Sequence, residues 1–136
     1  MEQWKAIMQS ANRAYQEGRE SDAEQLYKSS CERVVPLLTE WKDPEAAIAM
    51  LSVSYQNLAD LYFRQGRYDD ALVAYAGLLR QLTDLSQSGD RDAELARFAE
   101  GALHKAGSEL SQEVRMRRLA LPEDNPDLAP IRSLIS

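Results

Sequence analysis

The chain has 136 residues, of which 44% are hydrophobic and 28% charged, a balance that excludes intrinsic disorder and fits one domain around one continuous core. Sixteen Lys and Arg stand against 22 Asp and Glu, and the formal charge of -6 argues against nucleic acid and anionic membranes as partners, since phosphate would be repelled. The single cysteine, Cys31, excludes an internal disulfide and any Cys-based metal site.

Alanine, leucine, glutamate, glutamine and arginine are common and β-branched residues sparse, which raises the expectation of helix. No segment alternates with period two, so no sheet is expected. The apolar spacing predicts helices over 2–17, 21–41, 44–65, 69–86, 90–106, 108–120 and 126–135. Met1-Glu2-Gln3-Trp4-Lys5 lacks the basic start and apolar run of a secretion signal, and a cytoplasmic setting is the expectation. Gly18 ends the first helix, and Ser21 is placed to cap the second, with Glu24 at capping-box spacing. Pro36 kinks or ends that second helix, and Trp41 is expected to fill the gap before the next unit. Asp43-Pro44-Glu45 reads as a capped helix start. The longest apolar run, Ala46 to Val53, is far too short to cross a membrane. Gly66 ends the third helix and Asp69 is placed to cap the fourth. Ser86 to Asp90 is a turn cluster, and Asn125-Pro126-Asp127 is a second capped start.

Two stretches align without gaps: Ala11 to Tyr27, ANRAYQEGRESDAEQLY, and Ala59 to Tyr75, ADLYFRQGRYDDALVAY. Each holds a small residue, a glycine, an alanine and a tyrosine at matching positions: Ala11, Gly18, Ala23 and Tyr27 against Ala59, Gly66, Ala71 and Tyr75. That spacing describes helix, tight turn, helix. The glycines supply the left-handed turn, the alanines allow close approach, and the tyrosines fill the volume beyond it. A degenerate third copy follows Gly107, which lies 41 residues after Gly66. There Gln112 and Met116 replace the alanine and tyrosine, so one long helix over Arg91 to Ala120 is an open alternative to a pair.

These residues resemble tetratricopeptide repeat proteins, and more closely the longer repeats of kinesin light chains and related bacterial proteins. Tyr55 to Leu79 matches both helices of one repeat, Ala23 to Ser29 looks like a second helix, and Leu121 to Ala129 looks like the junction opening another repeat. Ala14, where the family favours tyrosine, and Ile7, where it often has tryptophan, are departures. The resemblance implies an all-α, right-handed superhelical solenoid of antiparallel helix pairs. It would form a single domain over 1–136, with repeats at about 2–42, 44–86 and a degenerate 90–120, and a cap at 126–135. Its concave face would be lined by the first helix of each pair. Carried over by position, the lining is Met8, Gln9, Asn12, Tyr15 and Gln16 from the first repeat. The second gives Gln56, Asn57, Asp60, Phe63 and Arg64, and the third Arg97, Phe98, His104 and Lys105.

The implied function is protein or peptide binding on that face, as an adaptor or scaffold. Asn57 leads the candidates, because a side-chain amide can both donate to and accept from an extended peptide backbone. Asn12 stands at a second asparagine position of the family, and Phe63 and Phe98 are candidate apolar anchors. Met8, Glu94 and Phe98 stand where family members that grip C-terminal carboxylates have cations, so tail-carboxylate binding is not expected.

The alternative is self-assembly, with Leu128, Ile131, Leu134 and Ile135 forming an apolar stripe that pairs two copies into a homodimer. Catalysis is not expected. His104 is the only histidine, Cys31 lies mid-helix among apolar neighbours, and no phosphate loop, nucleophile elbow or paired-histidine motif occurs. No cofactor or metal is implied. Arg115, Arg117 and Arg118 read as a solvated basic face.

Overall fold

Among the described residues, two of the three helix ends with a positive φ are closed by glycine. In the computed structural model, which describes residues 2–38, 42–87, 93–121 and 125–135 (the last three as backbone only), all regular elements are helical. They are α1 (Glu2–Gln16), α2 (Glu20–Leu37), α3 (Pro44–Arg64), α4 (Tyr68–Gln87), α5 (Ala93–Arg117) and α6 (Ala129–Ile135), with a single 3-10 turn (Pro126–Leu128) leading into α6.

Gly18 and Gly66 adopt φ of +79° and +74°, where a Cβ would be strained. Each lets the next amide reach back to a carbonyl five residues earlier: Arg19 N–H to Ala14 at 2.8 Å, and Arg67 N–H to Tyr62 at 2.9 Å. The helix that follows runs back antiparallel to its predecessor. The Tyr27 hydroxyl meets Asn12 and the Arg33 guanidinium meets Gln3 across the first pair. In the second pair Phe63 meets Tyr75 and Tyr55 lies against Gly77.

The close-approach reading of the alanines holds: Ala11, Ala23, Ala59 and Ala71 are each 0% exposed. Leu51, Leu61, Leu72, Leu78, Leu79 and Leu82 build the centre around them. Each such leucine contributes about 1.5–3 kcal/mol relative to an exposed one. The buried hydroxyls are satisfied. Ser30 donates to the Tyr27 carbonyl at 2.7 Å, and Ser54 donates to the Met50 carbonyl while accepting from Trp4 Nε1, also at 2.7 Å.

Helix starts follow the expected chemistry in part. Asp43 accepts from Ala46 N–H and Asn125 from Asp127 N–H, each with proline next in sequence. Ser21 does not cap α2, because that helix already begins at Glu20 behind Arg19. Glu24 is drawn instead into a contact with Arg67. Asp69 likewise lies inside the first turn of α4, which begins at Tyr68. Pro36 falls in the last turn of α2, and the helix ends at Leu37.

The largest difference concerns the third unit. The sequence leaves open both a helix pair broken at Gly107 and one long helix over Arg91 to Ala120; α5 runs through that position unbroken, as in the second, and Gly107 is buried with Ala106 and Leu110. A glycine in a helix costs only about 1 kcal/mol, little beside the burial of the face it shares with Ala106 and Leu110. The chain turns instead at Arg118, which takes φ of +53°, while Leu119 N–H reaches back to Val114 at 3.0 Å. That is the closure made at Gly18 and Gly66, built on a residue that pays a steric penalty for it.

α2 packs on α1 and α3, α4 on α3 and α5, and α6 on α4 and α5. Leu128 and Ile131 are 0% exposed within this chain, which corrects the expectation that they form an open dimer stripe. The side chains of Leu134 and Ile135 lie outside the described residues, as do Trp41 and the turn at 88–90.

Candidate functional site

Helices α1, α3 and α5 lie side by side and run parallel. Trp4 bonds Ser54 and Arg64 covers Tyr15, which sets α1 against α3. Gln56 donates to Glu109 at 2.6 Å and the Arg117 guanidinium lies 4.6 Å from the Phe63 ring, which sets α3 against α5. Side chains four apart on a helix share a face. Asn12 and Gln16 therefore share one face of α1, Gln56, Asp60 and Arg64 one face of α3, and Glu109, Glu113 and Arg117 one face of α5.

Between α1 and α3 opens a cavity of about 230 Å³, lined by Asn12, Tyr15, Gln16, Tyr27, Asn57, Asp60, Leu61 and Arg64. Six of the expected lining residues, Asn12, Tyr15, Gln16, Asn57, Asp60 and Arg64, thus meet in one place. The Asn12 carbonyl oxygen accepts from the Tyr27 hydroxyl at 2.6 Å, which orients the amide and leaves its NH2 for the groove. Asn57 is half-buried, and its side-chain amide has no hydrogen-bond partner among the described residues. Arg64 stacks on Tyr15 with its guanidinium carbon 5.2 Å from the ring centre. Burial raises the Asp60 carboxyl above its ordinary value; Arg64 opposes that shift, Glu113 adds to it and Arg117 opposes it.

Others of the expected lining residues are placed differently. Gln56 lies beyond the cavity, with its amide given to Glu109. Phe63 is not an open anchor: it is 5% exposed, packed with Tyr68 and Tyr75 and covered by Arg117. Met8, at 6% exposed, is also core. Arg97 and Phe98 stand together, 5.5 Å apart, but near the start of α5. There Phe98 borders a separate depression of about 270 Å³ with Ile48, Val53 and Ala102, at the other end of α3 from Arg64.

The displacement of Arg97 and Phe98 has one cause. The third unit was aligned on Gly107, whereas the structure turns at Arg118 and pairs Gln56 with Glu109, 53 positions away. The residues of α5 set against α3 are consequently Glu109 and Arg117. No sequence signal marks an arginine as a left-handed turn, so these were missed. Tyr27 also lines the cavity and had been assigned to filling volume alone. Cys31 is buried, and burial pushes its thiol up to about 12. His104 is exposed.

Among the described residues no helix is long and apolar enough to cross a membrane, and no three His, Cys, Asp or Glu are grouped to hold a metal ion.

A family model described as "Protein of unknown function (DUF2753)" matches residues 2–123. No curated protein and no solved structure matches the chain.

Proposed function

The chain belongs to the DUF2753 family, and from that premise and the groove we propose that it is a protein-interaction module holding an extended peptide or a partner segment along α1, α3 and α5. The fold is read as a tetratricopeptide-like stack of three helix pairs: α1 with α2, α3 with α4, and α5 with the short α6. Three equivalent turn closures at Gly18, Gly66 and Arg118 support this reading, as do the parallel first helices.

One observation carries the functional reading. Asn57 presents an amide without an internal partner inside a cavity whose other walls are Asn12, Tyr15 and Arg64. A half-buried amide that makes no internal bond gains most when a ligand backbone supplies both a carbonyl and an N–H. Tyr15, stiffened by Arg64, supplies a flat face for the peptide's side chains.

The test is selection of peptides from a displayed library of extended 10-mers, followed by titration of the enriched sequences. Asn57→Ala is expected to weaken them about tenfold, with far-UV circular dichroism unchanged. Indifference of every enriched peptide to Asn57→Ala and Tyr15→Ala, or no enrichment, overturns the proposal.

A further inference from the structure

The cavity between α1 and α3 has two unlike walls. α1 brings the amides of Asn12 and Gln16, and α3 brings the carboxyl of Asp60 and the guanidinium of Arg64. These are equivalent positions of the two aligned stretches: Asn12 corresponds to Asp60, and Gln16 to Arg64. All four are exposed, whereas Tyr27 and Leu61, which line the same cavity, are buried at 5% and 2% exposed. The cavity thus has a covered base and a polar mouth.

The acid and the base are kept apart. Asp60 and Arg64 lie one turn apart on one face of α3 and act on each other, yet among the described residues they form no ion pair. The Arg64 guanidinium lies over the Tyr15 ring instead, 5.2 Å from its centre. Arg117, which also acts on Asp60, is bound to Glu113 at 2.6 Å. The Asn12 oxygen accepts from the Tyr27 hydroxyl at 2.6 Å, so its NH2 is the part left to a ligand. The cavity therefore offers separate donors and an acceptor, with one acid and one base in balance.

We propose that this cavity takes a primary carboxamide side chain of the bound peptide, glutamine or asparagine, whose carbonyl oxygen accepts from Arg64 and the Asn12 NH2 and whose own NH2 donates to Asp60. The inference rests on the peptide-groove reading above, in which Asn57 holds the backbone, and adds the chemistry of one peptide position. A carboxamide carries two donors and two acceptor lone pairs on one planar head. It meets the acid and the base at once without bringing a charge. An ammonium would suit Asp60 but face Arg64, and a carboxylate would suit Arg64 but face Asp60. An apolar side chain would take water from all these groups and return no hydrogen bond. At about 230 Å³ the cavity is below the ~300–1,000 Å³ that drug-sized ligands fill, which favours a single side chain.

The test uses an array of Ala/Ser/Thr 10-mers, each carrying one glutamine at a scanned position, beside matched arrays with asparagine, glutamate, lysine and methionine. The expected result is one or two positions where glutamine or asparagine binds about fivefold tighter than the other three. Asp60→Asn should bring glutamate within about twofold of glutamine and leave lysine behind. Arg64→Gln should do the reverse, bringing lysine up and leaving glutamate behind. Both substitutions fall at exposed positions, and an unchanged far-UV circular dichroism spectrum checks the fold. Asn57→Ala should weaken every array alike. Peptides that respond to Asn57→Ala but show no preference among the five side chains, or prefer a charged or apolar one, overturn the carboxamide site and leave the groove standing. A carboxamide preference untouched by both Asp60→Asn and Arg64→Gln overturns the assignment to this cavity. Absence of binding to any peptide overturns both readings.

Discussion

The Glu24 carboxylate of α2 and the Arg67 guanidinium, just before α4, meet at 2.6 Å across the boundary between the first and second helix pairs. Lys28 approaches the same carboxylate at 2.9 Å, and the Tyr62 hydroxyl donates to it at 3.2 Å. The contact ties the turn at Gly66 to the preceding pair, so the stacking of pairs has a polar clasp as well as an apolar core.

That clasp is expected to make stability depend on acid pH. Arg67 foremost, with Lys28 and Tyr62, holds the Glu24 carboxyl at about 2, against an ordinary value of 4.5, although burial opposes this. The folded chain therefore binds this proton less readily than the unfolded chain. The stabilisation is fully present above pH 4.5 and is lost as pH falls from 4.5 toward 2. Because Arg67 is 42% exposed and solvent screens the pair, the contribution at neutral pH is about 1–2 kcal/mol. Urea unfolding between pH 2 and 7 checks it: Glu24→Gln should cost about that much at pH 7, less than half of it at pH 3 and almost nothing at pH 2. An equal penalty at both ends would remove the clasp from the argument.

Ala71 on α4 and Ala59 on α3 are each 0% exposed, and the repeat register sets them at the crossing of the two helices. Ala71→Leu is expected to destabilise by about 1–3 kcal/mol through overpacking. The measurement is a denaturation midpoint with unchanged slope; an unchanged midpoint would mean that the helices do not meet through these alanines.

Arg118 adopts the left-handed conformation at φ +53° that Gly18 and Gly66 adopt freely. Arg118→Gly should relieve about 1 kcal/mol of steric cost, and a rise in melting temperature of a few degrees would report it. Gly66→Ala should move the same observable the other way by a similar amount. If Arg118→Gly destabilises the chain, α5 does not end in this closure.

The Cys31 thiol is buried, with its pKa pushed up to about 12 by desolvation. A thiolate-selective reagent at pH 8 should modify the native chain on the order of a hundredfold more slowly than the urea-unfolded chain. Comparable rates would place Cys31 at an accessible site.

Most of the first two helix pairs was legible in the residues themselves. Gly18 and Gly66 are needed where a positive φ is needed, and Asp43 with Pro44 opens α3 as their chemistry demands. Helical periodicity puts Asn57, Asp60 and Arg64 on one side of α3, and the packing of α1 on α3 brings Asn12 to the same cavity. Phe63 was misassigned because an aromatic on that face can turn outward or inward. Only the arrival of Arg117 and Tyr75 from other helices decides that it is covered.

The sequence by itself determined the helical class, the position of the first two turns and the α1–α3 part of the groove, since each depends on local conformational preference and a repeat of 3.6 residues. Tertiary structure decided the third unit. Gly107 had the composition of a turn and Arg118 did not, yet burial of Ala106, Gly107 and Leu110 in one packed face kept α5 continuous past the glycine. The turn then fell on an arginine that bears the strain of a left-handed backbone. Register between α3 and α5 followed from that packing, and so did the bond between Gln56 and Glu109. A contact between helices 53 residues apart has no local cause that a reading of either helix alone could reveal.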